Sequence, residues 1–191
     1  MLSDILFGMV FEPAATLRKI GEEKPVFLAL LVYLIISLIN LPLSRGILLL
    51  QNTSPSVYKP HWFWIFGGIG LFFCFLGLFF IAGLYSLLSE IIYKKGNAAG
   101  ILAGFCFASF PGILGLACQY GAMLLDLERV GFLCSFLAVL WMMVLQVLAL
   151  REALDIRSSQ AVLLFVAPVL LLLILLALLF WVFYTGTSLI K

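Results

Sequence analysis

The sequence predicts an all-α fold: a polytopic transmembrane bundle of five helices, preceded by an N-terminal amphipathic helix at the membrane interface. Two observations carry this. Hydrophobic residues make up 65% of the 191-residue chain and charged residues only 10%, with a mean hydropathy of +1.25. A water-soluble domain is about one quarter charged, and much of its surface is apolar even so. A chain this poor in charge cannot cover itself in water but can in lipid. The second observation is the grouping of the apolar residues into five stretches, 26–43, 62–88, 98–125, 130–150 and 161–184. Each meets or approaches the roughly 20 residues a helix needs to cross the hydrocarbon core, and none carries a charge in its interior. Barrel strands would alternate apolar and polar residues, and residues 162–183 do not.

Residues 1–25 read as an interfacial amphipathic segment. Leu2, Ile5, Leu6, Met9 and Val10 fall at helical spacing, with Ser3, Asp4 and Gly8 between them. Pro13 suits the first turn of a second short helix, where no amide donor is needed. Leu17 and Ile20 continue an apolar face, with Arg18, Lys19 and Glu22 elsewhere. Such a segment lies in the interface, and that placement is compatible with packing on the bundle. Asp4 in place of a basic cluster, and no small-x-small cleavage site, argue against a cleaved signal peptide. The first span is therefore expected to be an uncleaved anchor.

The five-span membrane domain covers 26–191. Its longest loop is expected at 44–61, turned by Asn52, Ser54, Pro55, Ser56 and Pro60, with the apolar run 47–50 placed to touch the membrane surface. Asp126, Leu127, Glu128 and Arg129 are the whole link between the third and fourth spans, so these must be antiparallel neighbours. Residues 151–160 join the fourth to the fifth, with Ser158 expected as the N-cap because its hydroxyl can accept from the following amides.

The third span holds the sharpest pattern. Gly100, Gly104, Ala108 and Gly112 set small residues four apart, a stripe that lets another helix approach closely. Pro111 removes an amide and is expected to kink this helix near mid-span. Pro168 is expected to bend the fifth span near its start.

Groups able to do chemistry are sparse. His61 is the one histidine. It stands at a loop–membrane boundary beside Trp62 and Trp64, without a partner in sequence for metal or acid–base work. Cys74, Cys106, Cys118 and Cys134 lie within spans, with no CxxC or Cys/His spacing, and read as small apolar packing residues. Asn40, Ser109, Gln119 and Gln146, with Ser37 and Ser135, are the polar residues inside spans, where hydrogen bonding to a neighbouring helix is the plain expectation. With no mid-span Asp, Glu, Lys or Arg, a proton-coupled pump is disfavoured. A Ser-His-Asp hydrolase lacks its parts, and no glycine-rich phosphate loop occurs. The chain is thus expected not to be an enzyme and to need no cofactor or metal. A net charge of +2, with no basic run beyond two residues, argues against nucleic acid and against a polybasic lipid-binding tract.

The order of these features resembles the Yip1 domain family, particularly its short prokaryotic members. FEPAATL at 11–17 resembles the family's pre-membrane segment. GILAGFCFASFPGIL at 100–114 is similar to its aromatic-small-x-x-Pro stretch. Trp141 followed by ALDIRSSQA at 153–161 is similar to its helix–loop–helix link. Gln160 stands where a basic residue is common. The long hydrophilic N-terminal region of eukaryotic members, with its Asp-Leu-Tyr-Gly-Pro type motif, is not present, so small-GTPase binding and vesicle-traffic roles do not carry over. The resemblance implies a five-span protein with a cytoplasmic N-terminus and no established catalytic residues.

The expected function is therefore non-enzymatic: partner contacts through helices, or shaping and organising the bilayer. Membrane lipids, other membrane proteins and a second copy of the chain are the expected partners. The alternative is a carrier or scramblase-like transporter of a lipid or small apolar solute, which would need a cavity around the third span lined by Ser109, Gln119 or Gln146. Lys and Arg also orient the chain in the cell membrane. Arg18, Lys19, Lys24, Lys94, Lys95, Arg151 and Arg157 fall on one side, and Arg45, Lys59, Arg129 and Lys191 on the other. The positive-inside rule then puts the N-terminus in the cytoplasm and the C-terminus outside. A reporter enzyme that works only in the cytoplasm is expected to be silent when fused after Lys191, and activity there would reverse this orientation.

Overall fold

A computed structural model describes residues 2–51 and 60–188. Among the described residues every element is a helix: α1 (Leu2–Phe11), α2 (Pro13–Glu23), α3 (Val26–Leu50), α4 (Pro60–Tyr93), α5 (Ala98–Ala108), α6 (Pro111–Leu124), α7 (Glu128–Leu154) and α8 (Ser158–Ser188). Five stretches are long and apolar enough to cross a membrane: Val26–Leu50, Trp62–Tyr93, Ala98–Leu124, Glu128–Leu154 and Ser158–Trp181. The protein is an all-α polytopic bundle, as its composition requires.

The N-terminal segment forms two helices that break at Glu12, with Pro13 opening the second. Both dock on the bundle. Leu17, Ile20 and Gly21 of α2 are buried against α5 and α7, and Ile5 and Met9 of α1 are buried too. Arg18, Lys19 and Glu22 stay exposed, so α2 sorts its residues as its sequence spacing does. Phe7 and Phe11 of α1 point outward.

The first span is longer than expected. The predicted loop from residue 44 does not begin there, because α3 runs on through Pro42 to Leu50. Proline forfeits one amide bond and crowds the carbonyl four residues back, yet tertiary contacts hold the last turns in place. Ile47 is buried, and Gly46 lies against the Tyr120 ring of α6. Ser44 Oγ also donates to the Asn40 carbonyl at 2.8 Å. The run 47–50 is therefore helix rather than a surface-touching loop. Asn52, Ser54, Pro55, Ser56 and Lys59 lie outside the described residues, as does Lys191. Pro60 and His61 begin α4, but their side chains lie outside what is described.

Pro111 does more than kink the third span. It divides it: α5 ends at Ala108, Ser109 and Phe110 form a turn, and Pro111 opens α6. The backbone crosses the break on shorter-range bonds, from Phe110 to Phe107, Gly112 to Ser109 and Ile113 to Phe110. Pro168 sits inside a continuous α8.

Residues 100–108 of α5 are buried throughout, so this half-span is the centre of the molecule. α2, α3, α4 and α7 surround it, and α6 packs on α3 and α7. The α6–α7 link is as tight as its length suggests. Gly115 faces Ala138, and Gly131 faces Ala122 and the Gln119 backbone. Position numbers rise on one helix as they fall on the other, which is the register of an antiparallel pair.

Three helices approach α7 closely, each through a glycine set against an alanine. A Cβ added at Gly104 would stand 2.9 Å from Ala149 Cβ, one at Gly115 2.7 Å from Ala138 Cβ, and one at Gly21 3.0 Å from Ala153 Cα. α4 and α8 differ. α4 meets α3 where Gly67 touches Leu41 and Tyr33 sits edge-on to Phe75, and it meets α5 near Ala82 and Tyr85. α8 buries Ala161 and Leu164, while the large residues from Val169 to Trp181 point outward.

Gly104→Leu is expected to destabilise the bundle by about 1–3 kcal/mol, the usual cost of overpacking a tight contact. It should appear as a lower melting midpoint in detergent, and an unchanged midpoint would refute the close approach to Ala149.

Candidate functional site

The polar side chains that meet do so at one end of the bundle, where α2, α4 and α7 finish and α5 and α8 begin. A helix leaves carbonyls unpaired at its C-terminus and amides unpaired at its N-terminus, so such a junction must supply donors and acceptors together. Asn97 supplies both. Its Oδ1 accepts from the Gly100 amide at 3.1 Å, capping α5. Its Nδ2 donates to the Ala153 carbonyl of α7 at 2.9 Å and to the Gly21 carbonyl of α2 at 3.2 Å. One half-buried side chain thus joins three helices.

Lys95 adds a second tie. Its ammonium donates to the Asp155 carbonyl, at the C-terminus of α7, and pairs with the Asp155 carboxylate at 3.2 Å. Arg151 in the last turn of α7 pairs with Glu152 and donates to Ser158 Oγ at 3.3 Å. Lys24, Lys94 and Asp155 each follow a helix with left-handed backbone, at φ 51°, 59° and 49°, a conformation that suits a helix stop. Cations cluster here for an electrostatic reason. Three helix C-termini bring partial negative charge together, and Lys and Arg offset it. The seven cations that the topology count put on one side lie on the elements that meet at this end.

Ser158 is not the N-cap expected for α8. It lies inside the first turn, where its hydroxyl accepts from Arg151. Gln160 takes the capping role instead. Its Oε1 accepts from the Arg157 amide at 3.0 Å, the reach-back half of a capping box.

The small-residue stripe is distributed over different neighbours. Gly104 meets Ala149 and Ala108 is fully buried, but Gly100 faces the Asn97 cap, and Gly112 has only Met142 Sδ at 4.0 Å. The intramembrane polar residues are not brought together either. Ser109 Oγ donates to the Phe105 carbonyl of its own helix at 2.9 Å. Gln119 meets Gly131 with its backbone. Gln146 is half-buried on α7, and Asn40 Oδ1 is buried without a hydrogen-bond partner among the described residues. A tie that sequence reading missed is Tyr85 of α4. Its hydroxyl donates to the Phe165 carbonyl of α8 at 3.0 Å, and its ring stacks on Phe165 and sits edge-on to Phe105.

A second feature lies at the break in the third span. Met9 of α1, Phe110, Pro111 and Leu114 at the break, and Ala138, Trp141 and Leu145 of α7 line a groove of about 300 Å³. Its lining is apolar and includes none of Ser109, Gln119 or Gln146.

Asn97→Ala is expected to cost about 2 kcal/mol or more, because it uncaps α5 and strips two helix-end carbonyls of their donor. Asn97→Asp keeps the acceptor for Gly100 but turns the donor toward those carbonyls into a second acceptor, so its melting midpoint should also fall. Wild-type stability in the aspartate variant would show that the amide donor is dispensable.

Compared with known protein families, the chain matches the model of the Yip1 domain over residues 7–179. No curated protein and no solved structure matches it.

Proposed function

Since the chain belongs to the Yip1 domain family, we propose that this integral membrane protein is not an enzyme and acts through helix–helix contacts with other membrane proteins or a second copy of itself, or by organising the bilayer around it. The supporting observation is a set of four glycines on α4 that face no neighbour. An added Cβ at Gly68, Gly70, Gly77 or Gly83 would meet nothing within 4 Å. Glycine inside a helix costs about 1 kcal/mol relative to alanine in water. In membranes, small residues are placed where backbones approach closely. Gly104 of α5, Gly115 of α6 and Gly131 of α7 have such neighbours, whereas these four on α4, like Gly121 of α6, do not.

The interfacial role of the N-terminal segment belongs to the same reading. α2 spends its apolar face on the bundle, and Phe7 and Phe11 of α1 remain for the lipid interface. The N-terminus is proposed to lie in the cytoplasm, with the junction of helix ends on that side and the C-terminus outside. A carrier of a lipid or small apolar solute is the second reading. The groove at the α5–α6 break offers it an apolar surface but lacks the Ser109, Gln119 or Gln146 lining that such a path is expected to have, so the partner-contact reading is preferred.

A photo-activatable residue in place of Gly77 is expected to cross-link to protein in native membranes, whereas one in place of buried Ala103 should not reach beyond the chain. Lipid adducts alone from position 77 would remove the partner-contact reading of α4.

A further inference from the structure

The sequence has no basic run longer than two residues, yet folding gathers cations from separate stretches. Between the end of α4 and the start of α8 lies an open cleft of about 430 Å³, lined by Tyr93, Lys95, Asp155, Ile156, Arg157 and Gln160. We propose that this cleft binds the phosphate of an anionic membrane lipid, with its acyl chains along the outward faces of α4 and α8.

Arg157 carries the argument. It is exposed, and among the described residues its guanidinium makes no hydrogen bond or ion pair; its backbone alone is engaged, the amide by Gln160 and the carbonyl by the Ala161 amide. A guanidinium is the side chain best matched to two phosphate oxygens at once. Lys95 adds a second positive charge. An ammonium has three donors, and the Asp155 carbonyl and carboxylate are its only partners among the described residues. The carboxamide nitrogen of Gln160 and the Tyr93 hydroxyl offer neutral donors. The first turn of α8 opens on the same cleft, with amides that have no intrahelical acceptor and a dipole that favours an anion.

Two acids stand nearby, and neither fills the cleft. Asp155 pairs with Lys95, but its side chain is 98% exposed, so it can turn to water as an anion arrives. The Glu90 carboxylate lies over Gly96. The surroundings decide between a soluble anion and a lipid. Ile91 and Ile92 of α4 and Val162, Leu163 and Val166 of α8 are exposed beside the cleft. A free phosphate makes no use of such walls, whereas a phospholipid needs them. This inference does not rest on the partner-contact reading of α4, since its apolar walls on that helix are Ile91 and Ile92, beyond the glycines at 68–83 toward the helix end.

The test uses the full chain in neutral detergent and measures binding of dioleoyl phosphatidylglycerol, dioleoyl phosphatidylcholine and inorganic phosphate. Phosphatidylglycerol should bind saturably and more tightly than the other two. Arg157→Gln should weaken that binding about tenfold or more, the usual worth of a charge-assisted hydrogen bond. Asp155→Asn should tighten it, since it removes the negative charge beside Lys95 and asparagine tolerates the left-handed backbone there. Arg18→Gln removes the same charge from exposed α2 and should leave affinity unchanged. Equal binding of phosphatidylcholine would overturn the proposal, as would an Arg18→Gln loss matching that of Arg157→Gln. Inorganic phosphate binding as tightly as phosphatidylglycerol would overturn the lipid assignment.

Discussion

The rest of the structure depends on how closely α7 can be approached. Lipid tails are as apolar as leucine, so hydrophobicity does little to draw one spanning helix to another, and contact quality must do it instead. Here the contact is glycine against alanine. Gly104 of α5 meets Ala149, Gly115 of α6 meets Ala138, and Gly21 of α2 meets Ala153. The three helices settle on α7 at these points, and residues 100–108 are buried as a result. The same approach brings the last turn of α7 beside α2 and the start of α5, within reach of the Asn97 amide.

That proximity creates an electrostatic demand. Carbonyls at the ends of α2 and α7 have lost their helical partners, and at a membrane boundary not every one can be left to water. Asn97 and Lys95 answer from the short link between α4 and α5: Asn97 bonds the ends of α2 and α7, and Lys95 bonds Asp155 just past α7. The packing of the spans and the bonding of their ends are therefore coupled. Looser contacts at Ala149 and Ala153 would carry the carbonyls away from Asn97, and losing Asn97 would remove a reason for α2 to stay.

Much of the fold was legible because lipid imposes a simple rule: long uncharged runs become spans. The four-residue spacing exposed Gly104, but the stripe did not continue through the span. The break at Pro111 resets the helical phase, so Gly112 drops out of close contact and Gly115, off the stripe, takes over. The alanines of α7 carry no comparable signal, since alanine is ordinary in any span. The loop expected after Leu43 failed for another reason. Pro42, Ser44, Arg45 and Gly46 look like a helix end, and only the tertiary contacts of Gly46 and Ile47 keep the helix going. Ser158 was the expected cap, but it lies inside the first turn with its hydroxyl bonded by Arg151, and Gln160 reaches back to the Arg157 amide instead. Asn97 is a single polar residue after a lysine pair, and nothing local announces that it joins three helices.

The division between packed and open helices follows from the same chemistry. Gly104, Gly115 and Gly131 on α5, α6 and α7 are matched to alanines of neighbouring helices, and what they touch is fixed. α4 has more exposed glycines than buried ones, and α8 holds the bundle mainly through its first turns, Ala161, Leu164 and the bond from Tyr85 to Phe165. A helix anchored at one end keeps its remaining length in contact with whatever surrounds it. α8 is anchored at the junction of helix ends, where the cations are gathered, and α4 is anchored there through Ala82 and Tyr85 and touches α3 farther along at Gly67 and Phe75. Apolar faces that lead toward a cationic cleft form an amphipathic surface in the plane of the bilayer. In a chain with so little charge, the position of the charged groups is what turns a lipid-facing wall into a place with chemical preference.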